Sequence, residues 1–391
     1  MTVHTPVPAA RPAAGHDRPQ VTELRLSAFA GHRGAVLPFG ALTFLAGPSG
    51  SGKSSALRAY EALARLGGGA ELAEVFEDPA ACVPERARAD GQRRRGFRIG
   101  CTVEGPAGTV RLDLAVQVEP ELRVVGERLT RGDLVLLETA LRDPGRPVVQ
   151  AAWHTAGAAP VTRAPMPDDR LGTALVPLRV AGKTEGQRLV LAAAEQVVVA
   201  LRSVFPCDPR PGRMRAPVPA GRMGAGRLLG GCDNLAEVLW RTRTECSVRH
   251  ALLVSAVREG CAGPVGDVYA EEARDGSMQA YVDRGDGVRT PLARLGDGEL
   301  RYLALALVLL TGPGVLAVDP VVEVPAAYQT LTVVADGLDR RMDARQARAL
   351  GELAARMCAR GHIRLVGAVR DPAWATAAGA SVVDLDRDGT T

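Results

Sequence analysis

ALTFLAGPSGSGKSSALRAYEALARLGGG, residues 41–69, runs from an apolar strand pattern through a loop of glycine and serine into a helical period. The helix reads from Ser54 to Leu66 and is closed by Gly67, Gly68 and Gly69. Between strand and helix, Gly47, Pro48, Ser49, Gly50, Ser51, Gly52, Lys53 and Ser54 spell GxxxxGK(S/T), with Ser55 following. Glycines let backbone N–H groups turn inward around phosphate oxygens, and a helix N-terminus adds positive potential. Lys53 is a compact charge that reaches β- and γ-phosphates, and Ser54 offers a hydroxyl to Mg²⁺. The expected cofactors are therefore ATP and Mg²⁺. A glycine–serine linker that spells the motif by chance is the alternative, and the flanking strand and helix argue against it.

Composition sharpens the reading of Lys53. Of the 48 Lys and Arg residues only Lys53 and Lys183 are lysine, and Asn234 is the one asparagine. Such a bias fits a GC-rich bacterial genome, and a lysine is kept at position 53 against it because a guanidinium does not fit an ammonium's place. A chain of 391 residues, 46% hydrophobic and 24% charged, has the make-up of two or three globular domains. A net charge of +4 is too small to announce a nucleic-acid binder. Seven cysteines without a CxxC pair argue against a disulfide framework or zinc ribbon and fit a cytoplasmic compartment. Six histidines in no HExxH or HxxxH spacing give no metal site.

Along the chain, residues 1–20 read as a Pro- and Ala-rich disordered tail. VTELRLSAF, AVLPF and ALTFLAG read as strands, and residues 97–129 as a strand-rich meander. These place an N-terminal core at 21–130. A mostly helical insertion is expected at 131–285, with long helical runs at Gln187–Phe205 and Asn234–Arg243. A C-terminal core at 286–391 would hold helix, strand, helix (Ala344–Arg360), strand (Ile363–Val369) and a last strand, Ser381–Leu385. Its most apolar stretch, LRYLALALVLLTGPGVLAV (300–318), is cut at Gly312, Pro313 and Gly314 into a buried helix and a short strand, each too short to span a bilayer, so no membrane association is expected. An NKxD guanine-reading segment and a GxGxxG fingerprint after a strand are both missing, which disfavours a GTPase or a dinucleotide fold.

Gly296, Asp297, Gly298 and Glu299 open that helix, and Val315–Val318 forms the next strand, ending in Asp319. A carboxylate at the end of a buried strand is what a phosphate loop needs to hold Mg²⁺, so Asp319 is the expected partner of Ser54. Here the sequence resembles the RecF/SMC-like branch of ABC-type ATPases. LGDGELRYLALALVLL resembles their signature segment, and strand, phosphate loop, CDNLAEVL (232–239), signature and strand-end Asp come in the family order. The resemblance implies an α/β ABC-type head with a mixed sheet core, an antiparallel β subdomain and a helical insertion. It further implies an ATP-dependent homodimer, in which the signature helix of one copy meets the γ-phosphate held by the other. Helix capping by Asp297 is the local alternative.

The resemblance is incomplete. The family's Glu after the strand-end Asp is replaced by Pro320, its switch histidine by Arg370 and Asp371, and its signature serine by Gly296. Gln92 and Gln117 are both candidates for its glutamine loop. Slow hydrolysis is the expectation, with Glu323 either a general base reached through a turn at Pro320 or a surface carboxylate. Two arginine groups, Arg86, Arg88, Arg93, Arg94, Arg95 and Arg98, then Arg210, Arg213, Arg215, Arg222 and Arg227, suit DNA-backbone contacts or a solvated loop. Three function classes stay open: a DNA-associated motor or clamp, a switch that docks an unidentified protein partner, and a degenerate nucleotide-binding head.

Overall fold

The computed structural model describes residues 18–157, 159–219, 226–312, 314–319, 321, 324–325 and 328–386. Strands β1 (Gln20–Phe29), β2 (His32–Pro38) and β3 (Leu42–Ala46) precede helix α1 (Lys53–Gly67) and a short α2 (Leu72–Val75). Then come β4 (Arg95–Glu104), β5 (Val110–Glu119), β6 (Arg123–Arg131), β7 (Leu134–Ala140), β8 (Val148–His154) and β9 (Val161–Pro167). Helices α3 (Gly172–Arg179) and α4 (Glu185–Arg202) lead to β10 (Val204–Pro206), α5 (Pro211–Met214), α6 (Leu235–Glu245) and α7 (Ser247–Gly260). A small antiparallel sheet, β11 (Asp267–Glu272), β12 (Met278–Gly285) and β13 (Val288–Pro291), precedes α8 (Asp297–Leu310). The last elements are β14 (Leu331–Ala335), α9 (Ala344–Cys358), β15 (Ile363–Ala368), α10 (Pro372–Ala377) and β16 (Ser381–Asp384).

Two large sheets organise these elements. One is antiparallel throughout, in the order β2-β1-β4-β5-β6-β7-β8-β9; the other is parallel, in the order β10-β14-β15-β3-β16. Parallel strands covered on both faces read as unbroken apolar runs rather than alternating ones. That is the pattern of LTFLA, LTVVA and IRLVGA, whose residues are buried throughout. Alternation decides which core each side chain enters. Phe44, Val333 and Leu365 pack with α8 and α9 on one face, while Leu45, Val334 and Val366 pack with α1, α4 and the antiparallel sheet on the other. Helix α1 thus lies between the two sheets, with Ala56, Leu57, Tyr60 and Leu63 wholly enclosed.

Fold class matches the expectation of an α/β protein with an antiparallel β subdomain, while the core sheet, expected to be mixed, is parallel at every described pairing. Two local expectations do not hold. Residues 134–167 are strands β7, β8 and β9, which prolong the antiparallel sheet, so the first part of 131–285 is not helical. Their alternation of more and less buried residues in VVQAAWH marks a sheet with one covered face. Val315–Val318 is no strand of the parallel sheet; Leu316 makes a single bridge to Leu228. The central place after the signature helix goes to β14, which sits between β10 and β15. Among the described residues no helix is long and apolar enough to cross a membrane. Residues 300–310 of α8 are buried on every side by protein.

Candidate nucleotide site

The phosphate loop follows the carboxyl end of β3 and turns directly into α1, whose first residue is Lys53. Its backbone needs glycine. Gly47 has φ +136°, and a Cβ there would lie 2.8 Å from Ser51 Oγ. Gly52 has φ +93°, and a Cβ there would lie 2.6 Å from the His32 ring, whose Nε2 sits 3.0 Å from the Gly52 carbonyl oxygen. β2 therefore presses a buried imidazole against the loop's last turn, a contact that no motif in the sequence announces. Lys53 Nζ donates to the carbonyls of Gly47 (2.7 Å) and Pro48 (2.8 Å), which holds the ammonium inside the loop's curve.

Ser54 Oγ donates to Asp336 Oδ2 at 2.7 Å. Asp336 directly follows β14, at the same carboxyl end of the sheet as the phosphate loop, since β14 and β3 both run parallel to β15. A cleft of about 470 Å³ lies between them, lined by Gly47, Pro48, Ser49, Gly50, Gly52, Lys53, Ser54 and Ser55 on one side. Asp336, Gly337, Asp339, Arg340, Val369 and Arg370 line the other. Hydroxyl and carboxylate oxygens side by side, beside a cradle that only glycines permit, are the hard-donor set that Mg²⁺ takes alongside phosphate. Ser54 and Asp336 fit that ion.

Asp319, the expected magnesium ligand, is elsewhere. Its carboxylate is 81% exposed and paired with Arg202 at 2.8 Å. Arg202 ends α4 just before β10, so this pair lies at the amino ends of the parallel strands, opposite the phosphate loop. A five-residue strand separates the two ends by about 16 Å. Asp319 precedes a long connection to β14 instead of ending a core strand. Glu323 and Pro320 lie outside the described residues. Residue 337, which follows the strand-end Asp336, is glycine.

The residues expected to form a signature stand apart from the cleft. Gly296 is the N-cap of α8, and Glu299 Oε2 accepts from its N–H at 3.2 Å, so Glu299 rather than Asp297 supplies the cap. Asp297 is instead ion-paired with Arg215 at 2.5 Å and with Arg341. Gly298 is needed inside the chain: a Cβ there would run into the Arg341 carbonyl oxygen and lie 2.8 Å from Gln346 Oε1. Gly296 faces open space, with only Glu299 Oε2 at 3.8 Å. None of Gly296, Asp297, Gly298 or Glu299 lines the phosphate cleft.

Arg301, one turn into α8, escaped the sequence reading. It is 3% exposed and donates to Pro209 O (2.7 Å), Gly337 O (2.9 Å) and Asp208 Oδ1 (3.1 Å). The signal was present: it is the lone charge past the first turn of an apolar helix. Through Arg301 helix α8 grips the backbone that carries Asp336. Glu61, two turns along α1, feels the same region. Burial, then repulsion from Asp336 and Asp208, pushes its carboxyl up to about 7.

Neither glutamine candidate reaches the cleft. Gln117 is buried and donates to Glu121 O, and Gln92 lies in an exposed turn capped by Asp90. Asn234 ties Leu229, Arg227 and Glu237 together ahead of α6. The second arginine group is largely engaged internally: Arg213 with Asp233, Arg215 with Asp297, and Arg227 with the Val318 carbonyl. Arg222 lies outside the described residues. In the first group Arg94 pairs with Asp90, and Arg95 with Glu119. Arg86, Arg88, Arg93 and Arg98 are exposed. No group of three or more His, Cys, Asp or Glu side chains among the described residues forms a metal cage.

Fold and cleft together define a phosphate-loop head of mixed α/β architecture. No protein-family model matches the chain, and no curated protein matches it. Solved structures similar to it include SMC heads. An SMC head bound to the C-terminal winged-helix domain of ScpA shares 12% identity at a TM-score of 0.49, over 93% of this chain and 94% of that one. The SMC head domain from Thermotoga maritima shares 12% at 0.45, over 93% and 94%. An Smc head with an extended coiled coil, bound to the C-terminal domain of ScpA derived from Pyrococcus furiosus, shares 9% at 0.49, over 94% and 93%. At these values the likeness concerns fold and carries nothing about activity.

Proposed function

We propose that this chain is an ATP-binding head of the RecF/SMC-like ABC class. In this reading it closes into a homodimer on ATP, hydrolyses it slowly in the cytoplasm, and uses the ATP-bound state to engage DNA. The observation that carries the reading is the hydrogen bond from Ser54 to Asp336 across a cleft whose floor is the phosphate loop. It supplies the two oxygen donors that a nucleotide-bound Mg²⁺ needs, beside Lys53 for the phosphates. Calorimetric titration with Mg·ATP tests it: measurable binding is expected for the wild type and none for Lys53→Ala. Equal affinity in both would refute the assignment.

Dimerisation rests on the open surface at Gly296, where a helix N-terminus without a phosphate of its own head is free to meet one held by another copy. DNA contact rests on exposed Arg86, Arg88, Arg93 and Arg98, which suit phosphates without sequence readout. A second reading, a catalytically degenerate head that regulates a protein partner, is favoured by Gly337 in the place of a carboxylate. Retention of duplex DNA at low salt separates the two: its absence with and without ATP leaves the partner-docking head.

A further inference from the structure

We infer that Arg340, seconded by Arg370, reads the γ-phosphate from within the same chain, so that the cleft selects a nucleoside triphosphate over a diphosphate. The inference rests on the ATP-head reading above and names what distinguishes the bound nucleotide. Residue 337 is where this class of head would carry a catalytic carboxylate. In this chain its backbone has φ +56°, a conformation that L side chains rarely adopt. The space beside it is filled: a Cβ at Gly337 would lie 2.9 Å from Arg340 Nε and 3.0 Å from its Nη2. The guanidinium of Arg340 therefore lies over the position after Asp336, and Arg340 lines the cleft together with Lys53. Arg370, which follows β15 where a switch histidine would stand, lines the same wall.

The nearby carboxylates, Asp336 and Asp339, are engaged elsewhere rather than ion-paired with these two arginines. Asp339 accepts the backbone N–H groups of Arg370 and Asp371 at 3.0 and 3.1 Å, and the Trp374 indole N–H at 3.4 Å. Asp336 faces Ser54. Neither Arg340 nor Arg370 has an ion-pair partner among the described residues. Three cations, Lys53, Arg340 and Arg370, thus converge on the cleft. A guanidinium presents a fixed fork of donors that matches phosphate oxygens, and it has no basic site to take a proton from water. The chain has a cation where a base would act, which suits holding the triphosphate rather than cleaving it.

The test is titration of the full chain with Mg·ATP and Mg·ADP for wild type, Arg340→Gln, Arg340→Lys and Arg370→Gln. Wild type is expected to favour ATP by about tenfold or more, the worth of one charge-assisted contact. Arg340→Gln should lose most of that preference while its affinity for ADP stays within about twofold of wild type, which also certifies that it folds. Arg340→Lys should recover part of the preference, and Arg370→Gln should lose a smaller share. An ATP/ADP ratio unchanged in Arg340→Gln, with both nucleotides still bound, overturns this inference alone. Wild type that binds neither nucleotide overturns the ATP-head reading, and this inference with it.

Discussion

A glutamate at position 337 would have to hold a left-handed backbone and displace the Arg340 guanidinium, two costs that a single substitution does not remove. Gly337→Glu is accordingly expected to leave single-turnover ATP cleavage as slow as wild type. A rate gain of tenfold or more would show that Arg340 moves aside freely. Glu61 makes a second prediction at this scale. Its carboxyl holds a proton up to about pH 7 in the folded chain but only to the ordinary carboxylate range, about 4.5, once unfolded. Between those values the folded state binds more protons, so stability falls as pH rises through the window, and the deficit persists above it. Glu61→Gln should therefore be the more stable protein at pH 8, measured by urea unfolding in EDTA without nucleotide. The gap should close toward pH 4.5, and a pH-independent gap would assign the effect to packing.

Among elements, α8 illustrates what sequence patterns settle and what they leave open. Its apolar run and opening glycines were legible, as were α1, α9, β15 and the phosphate loop, because local period and loop chemistry specify them without help from distant residues. The strand after it was not. Both Val315–Val318 and Leu331–Ala335 are apolar runs that end in an aspartate, and local pattern does not say which enters the sheet. Pairing decides it: β14 finds β10 on one side and β15 on the other, while Leu316 finds only a bridge to Leu228. Asp336 belongs to the site for that reason, and Asp319 does not. Likewise Gly298 reads as room for a nucleotide until the Arg341 carbonyl is seen against it. Arg301 ties the helix to the Asp336–Gly337 backbone, and Arg301→Met strands the carbonyls of Pro209 and Gly337 while leaving the exposed Asp208 carboxylate to water. A loss of about 1–3 kcal/mol in urea unfolding is expected, from the two stranded carbonyls. A change under about 0.5 kcal/mol would mean that water replaces the guanidinium.

At the scale of the whole molecule, Gly296→Trp is the probe of self-association, because the added ring meets open space in the monomer and leaves the fold intact. Sedimentation with a non-hydrolysable ATP analogue should show a dimer for wild type and a monomer for this variant. A wild-type monomer at high concentration with analogue bound would refute the ATP-dependent homodimer. Charge reversal of Arg86, Arg88, Arg93 and Arg98 together should abolish retention of duplex DNA and flatten its dependence on salt. Retention unchanged by the reversal would move the contact elsewhere. The parallel sheet carries one more consequence. β3, which launches the phosphate loop, is flanked by β15 and β16, whose residues are synthesised some 320 residues after it. At ribosomal speeds that is a delay of roughly 20–70 s. Throughout it the loop lacks the strands that flank β3 in the folded sheet, so the proposed nucleotide cleft is assembled only after β16 has been made.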